Sequence, residues 1–134
     1  MAATVVPVRP HIAALTALLT QAGLVVVPGG QGTPTPPCVV LWPAPGEPVA
    51  GSLADPTSDL IAEMTTVACG SSVDQALWVA GKVTAALSLA VPTIAGRTAH
   101  PVQWVDATSV IRDDTLATPI WSTPIRWRLI TTPL

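Results

Sequence analysis

The ten residues Pro28-Gly-Gly-Gln-Gly-Thr-Pro-Thr-Pro-Pro37 can belong neither to a helix nor to an interior strand. Proline brings no ladder donor and glycine no packing surface, so this stretch must be a connection. A second connection spans residues 43–58, with Pro45, Gly46, Pro48, Gly51 and Asp55-Pro56 as turn-formers. Loops longer than about 12 residues are uncommon in compact domains and are usually functional or disordered. With 134 residues in all, the elements between these breaks share one core, because two cores would each bury too little surface. The chain therefore reads as a single domain over 1–134.

Between the breaks the periodicity defines the elements. Residues 7–22 predict a helix: Pro10 suits its opening turn, Ile12, Leu15, Leu19 and Ala22 share a face that Leu18 broadens, and Gly23 ends it. Leu24–Val27 and Cys38–Trp42 are short strand candidates, and Asp59–Gly70 a long one whose alternation is untidy enough to indicate cover on both sides. Ser72-Val-Asp-Gln75 is a capping box that opens a helix to Leu89, with Asp74 at the positive end of its dipole. Val73, Ala76, Ala80, Val83 and Leu87 form its apolar stripe, with Leu77 beside it. Two further strands follow, Val102–Asp113 and Pro119–Thr132, joined by the turn chemistry of Asp113-Asp114-Thr115. Val105, Ala107 and Ile111 share a face of the first, and Ile125, Trp127 and Leu129 a face of the second, with Pro124 marking an edge or bulge. The expected fold is α+β: an antiparallel sheet of about four strands with two helices packed on one face, in the order α-β-β-α-β-β.

Composition narrows the function. Only 10% of the residues are charged while 49% are hydrophobic, well short of the usual quarter charged. Either partners cover much of the surface, or a GC-rich coding bias has enriched Ala, Val and Pro and favoured five Arg over the single Lys82; the two readings are compatible. A net charge of −2 and scattered arginines argue against recognition of nucleic acid. The stretch 12–27 is too short for a membrane span and contains Gln21 and Gly23, so no membrane association is expected.

No enzyme signature emerges. His11 at a helix start and His100 before Pro101 read as surface or capping residues. The glycines at 29, 30 and 32 lead into prolines and not into a phosphate-binding helix. Cys38 and Cys69 lack metal-ligand spacing and read as buried reduced thiols. Asp106, Asp113 and Asp114 read as a solvated hairpin corner in preference to a cation site. No catalytic group, metal or cofactor is expected.

The candidate sites are therefore interface residues. Trp78 lies off the helix stripe with Lys82 near its face, and is either a partly covered surface residue or a subunit-contact anchor. Arg126 and Arg128 share the outward strand face and are expected to pair with the nearby carboxylates, preferably across a subunit boundary. Arg112, Asp113, Asp114 and Trp121 complete the expected interface set.

The run Ser72-Val-Asp-Gln-Ala-Leu-Trp-Val-Ala80, the stretch Pro101-Val-Gln103, Val110-Ile-Arg-Asp-Asp114 and the closing Trp127-Arg-Leu129 carry a family resemblance. Together with the order of elements over residues 7–132, they resemble tail terminator proteins of long-tailed (siphovirus-type) bacteriophages, especially phages of actinobacterial hosts. A tyrosine expected near the last strand is replaced by Trp127, and the chain has no Tyr or Phe. The resemblance implies a structural protein of the virion, located at the head–tail junction and assembled in the bacterial cytoplasm. It implies a homohexameric ring that caps the tail tube protein, ends tube elongation and docks on the head connector or head-closure protein. The loops 28–37 and 43–58 would meet the tube or connector. Another head-closure or tail-completion component is the alternative, and a small ligand-binding domain or enzyme the remoter one.

Overall fold

A computed structural model describes residues 8–49, 59–115 and 118–134. Its elements are α1 (Arg9–Gln21), β1 (Val26–Pro28), β2 (Cys38–Pro43), β3 (Glu47–Val49), β4 (Asp59–Gly70), α2 (Val73–Leu87), β5 (Arg97–Ala99), β6 (Gln103–Ala107), β7 (Ile111–Asp113) and β8 (Ile120–Pro133). No helix among the described residues is long and apolar enough to cross a membrane.

The expectation of a four-stranded antiparallel sheet is overturned. Eight strands form one mixed sheet along the path β1-β2-β4-β8-β5, with β3 on β4 and with β6 and β7 on β8. The additional strands β3, β5 and β7 have three residues each, too few for any alternation to register. The parallel pair is β1 with β2, Val26 opposite Val39 and Pro28 opposite Leu41. Parallel neighbours normally need a long crossover. Here the ladder has three residue pairs, so the chain must travel back only about 10 Å, and the 28–37 loop has ample reach for that.

Prolines explain where the sheet is interrupted. Residues 102–113 do not form one strand: β6 carries a bulge between Trp104 and Asp106, and the chain leaves the ladder before β7. Pro124 sits inside β8 and faces this gap. Its carbonyl accepts from the Thr108 N–H at 3.2 Å, so its donor-less nitrogen points to the same side, where β6 and β7 part. The proline thus marks a break in the neighbouring strand, while β8 continues through it. Pro48 in β3 obeys the same logic: it lies opposite Leu60, at a position whose amide would turn toward the open edge and away from β4.

β4 is the centre of the sheet, paired to β2 and β3 on one side and to β8 over eleven registered positions on the other. Its burial alternates strictly from Asp59 to Ala68. Leu60, Ala62, Met64, Thr66 and Ala68 are buried on one face, and Ala62, Met64 and Ala68 join the main core with Leu15 and Leu19 of α1 and Val79, Val83 and Leu87 of α2. The buried stripe of α2 is Ala76, Val79, Val83 and Leu87, rotated from the expected one; Val73 is exposed and Ala80 only partly covered. Ser72 caps this helix, its Oγ accepting the Gln75 N–H at 3.1 Å. The Gln75 side chain reaches back one residue further than the capping-box pattern requires, accepting from the Ser71 N–H at 2.7 Å.

His11 corrects another expectation. It is fully buried, with Nε2 at 2.7 Å from Thr131 Oγ1. Arg97 Nε donates to the same hydroxyl at 2.8 Å, and Arg97 Nη2 to the Thr131 carbonyl at 3.0 Å. A hydroxyl can accept from Arg97 and still offer its own hydrogen to the ring nitrogen. These bonds tie α1, β5 and β8 together through buried polar atoms, a structural use of histidine.

Candidate functional site

The helices cover one face of the sheet. The other face carries Glu63, Thr65 and Val67 of β4, Arg126 and Arg128 of β8, Asp106 of β6 and Trp42 of β2, from half-buried to exposed. Register places the charges directly opposite one another: Arg128 beside Glu63 and Arg126 beside Asp106. Arg128 Nη2 lies 3.0 Å from Glu63 Oε1. Arg126 grips Asp106 with two donors, Nε at 2.7 Å from Oδ1 and Nη2 on Oδ2. Facing opposite charges of this kind stabilise strand register. Both arginines thus have partners within the chain. Asp106 is one of the three carboxylates expected to meet these arginines, here within the chain and not across a subunit boundary, whereas Glu63, the one charged residue in the middle of β4, is not singled out by sequence.

The hydrogen bonds from the Arg126 guanidinium hold the Asp106 carboxyl below its ordinary value, outweighing the opposing effect of desolvation. A depressed folded-state pKa stabilises the fold above the unfolded value near pH 4, and this contribution is lost as pH falls through the folded value. Asp106→Asn should therefore melt below wild type at pH 7, with the gap closing toward pH 3. Thermal midpoints of the two proteins across that range test this; a gap independent of pH would exclude the ion pair as its cause.

Arg112, Asp114 and Trp121 meet at the β7–β8 end, while Asp113 lies opposite Ile120 on the other face of the sheet. Arg112 Nε is 2.6 Å from Asp114 Oδ1, and its guanidinium lies over the Trp121 ring at 5.2 Å. Asp113 accepts from the Thr115 N–H at 3.0 Å and from its hydroxyl at 2.6 Å, closing an Asx turn and holding the carboxyl below its usual range. Asp106, Asp113 and Asp114 thus each face a different partner, and among the described residues no three His, Cys, Asp or Glu side chains form a metal-binding group. Trp78 stands apart on α2, with Lys82 Nζ 4.7 Å above its ring.

Exposed aromatic surface is the most telling feature. Of the five tryptophans only Trp127 is buried, while Trp42, Trp78 and Trp104 are each more than half exposed. Val73 and Leu77 are likewise exposed on α2, and Ile111 on β7. Contiguous exposed apolar patches are in general candidates for contact surfaces. An open groove of about 1190 Å³ also runs along α1, lined by Val8, Ile12, Thr16 and Thr20 and by Pro43 and Pro45 across from them. Trp42 and Trp104 were not singled out by sequence, because their strand faces alternate too briefly to be assigned.

Comparison with protein-family models and with curated sequences gives no match. Among solved structures, the chain is similar to one from the virion of a native gene transfer agent particle, with a TM-score of 0.66 and 14% identity over 90% of this chain and 93% of that one. At that identity the likeness defines a shared fold across nearly the whole of both chains.

Proposed function

We propose that this chain is a structural protein of a phage-like virion and acts as a tail terminator: a homohexameric ring that caps the tail tube and presents a docking surface to the head connector. The observation that carries this reading is the near-complete fold likeness to a virion chain. The exposed tryptophans support it, since a ring of identical chains needs a heterologous interface whose rotation closes. Trp78, on the helix that also exposes Val73 and Leu77, and the Arg112–Asp114–Trp121 cluster lie on separate elements, as the two unlike halves of such an interface require. Arg126 and Arg128 keep their in-chain partners and set the charge pattern that a neighbour meets.

The test is the mass and negative-stain image of the purified chain, alone and with a phage tail tube protein. Six-membered rings that cap tubes are expected. Trp78→Ala should shift rings toward smaller species with little change in the thermal midpoint of the unassembled chain, because this side chain is half exposed there. A chain that stays monomeric at high concentration and leaves tube length unaltered would contradict the proposal.

A further inference from the structure

The two cysteines, separated by thirty residues of sequence, are brought face to face. Cys38 of β2 and Cys69 of β4 are direct partners in the antiparallel ladder. The Val39 N–H goes to the Val25 carbonyl, just before β1, so Cys38 turns its own amide toward β4 and forms a hydrogen-bonded pair with Cys69. Such pairs hold their Cα atoms about 5.5 Å apart, inside the range that a disulfide bridges. Both thiols are free and buried, and they cluster with Val40 and Ile120 on the face of the sheet away from the helices.

One member of the pair, Cys69, is also reachable. Cys69 lines a cavity of about 240 Å³ beneath the 28–37 loop, bounded by Val27, Gly30, Pro34, Val67 and Ile120. That space admits a molecule the size of water or hydrogen peroxide and is narrow for a bulky thiol such as glutathione.

We infer that Cys38 and Cys69 form a peroxide-sensitive dithiol site, which closes to a reversible disulfide between β2 and β4. In the first step one thiol takes an oxygen from hydrogen peroxide, giving a sulfenic acid and releasing water. In the second the neighbouring sulfur attacks the sulfenic sulfur, the S–S bond forms and a second water leaves. Two thiols are oxidised by two electrons and one peroxide is reduced.

The test treats the full chain, in the assembly it forms, with graded hydrogen peroxide, then alkylates it under denaturing conditions and maps it by mass. Both thiols should be lost together, a Cys38–Cys69 linked peptide should appear, and dithiothreitol should restore both. The oxidised protein should melt roughly 5–10 °C higher, because the bridge restricts the unfolded chain. In Cys38→Ser and Cys69→Ser the remaining cysteine should accumulate a sulfenic acid that dimedone traps. The inference fails if both thiols stay alkylatable, if one overoxidises while the other survives, or if the link joins two chains. The wild-type result alone decides the matter should either variant fold poorly.

Discussion

Trp127→Ala is expected to lower the free energy of unfolding by about 3–5 kcal/mol, read as a fall in the urea midpoint with an unchanged slope. Trp127 is fully buried at the middle of β8, opposite Met64 on β4 and Trp104 on β6. Its removal leaves a cavity that the surrounding strands, held in an eight-stranded ladder, cannot collapse to fill. A second cost is polar. Trp127 Nε1 donates to Thr66 Oγ1 at 2.9 Å, and Thr66 is itself fully buried. Truncation strips the hydroxyl of this donor, where water has no access. Trp127→Phe separates the two effects: it keeps most of the volume and loses the bond, so it should fall well short of the alanine variant. Equal losses for the two would mean that the hydrogen bond, and not packing, dominates.

Gly70→Ala should cost about 3 kcal/mol, the upper end for an overpacked site. An added Cβ would lie 2.3 Å from the Ala76 nitrogen, 2.8 Å from the Gln75 carbonyl carbon and 2.9 Å from the Ala76 Cα. These are backbone atoms of the first turn of α2, so no flexible side chain can give way. Ala76 N already donates to the Ser72 carbonyl at 3.0 Å, and moving the helix start strains that bond and the Ser72 cap together. Gly81 supplies the contrast. It lies within α2 with nothing within 4 Å of a built Cβ, so Gly81→Ala should stabilise the protein by up to about 1 kcal/mol through helix propensity. Circular dichroism melts of both variants give the comparison directly, and a destabilising Gly81→Ala would mean that α2 meets something the single chain does not contain.

That last outcome bears on function. Trp78, Leu77 and Val73 lie on the exposed side of α2, the surface proposed to meet a neighbouring subunit. Substitutions that disturb assembly while leaving the single-chain melt untouched would map that contact, whereas Trp127 and Gly70 act through the fold itself.

Much of the architecture was legible because it rests on local patterns. The capping box at Ser72–Gln75, the boundaries of β4 and the inward face Ile125, Trp127 and Leu129 follow from spacing alone, since helix and strand periods are properties of the backbone. The 28–37 loop followed from proline and glycine chemistry. What tertiary structure alone decided is the set of long-range partners: β1 running parallel to β2, three-residue strands added to β4 and β8, His11 drawn inward to Thr131, Glu63 set against Arg128, and Cys38 against Cys69. Each depends on register between segments distant in sequence, and register is selected by the whole core at once, so no short window of residues encodes it.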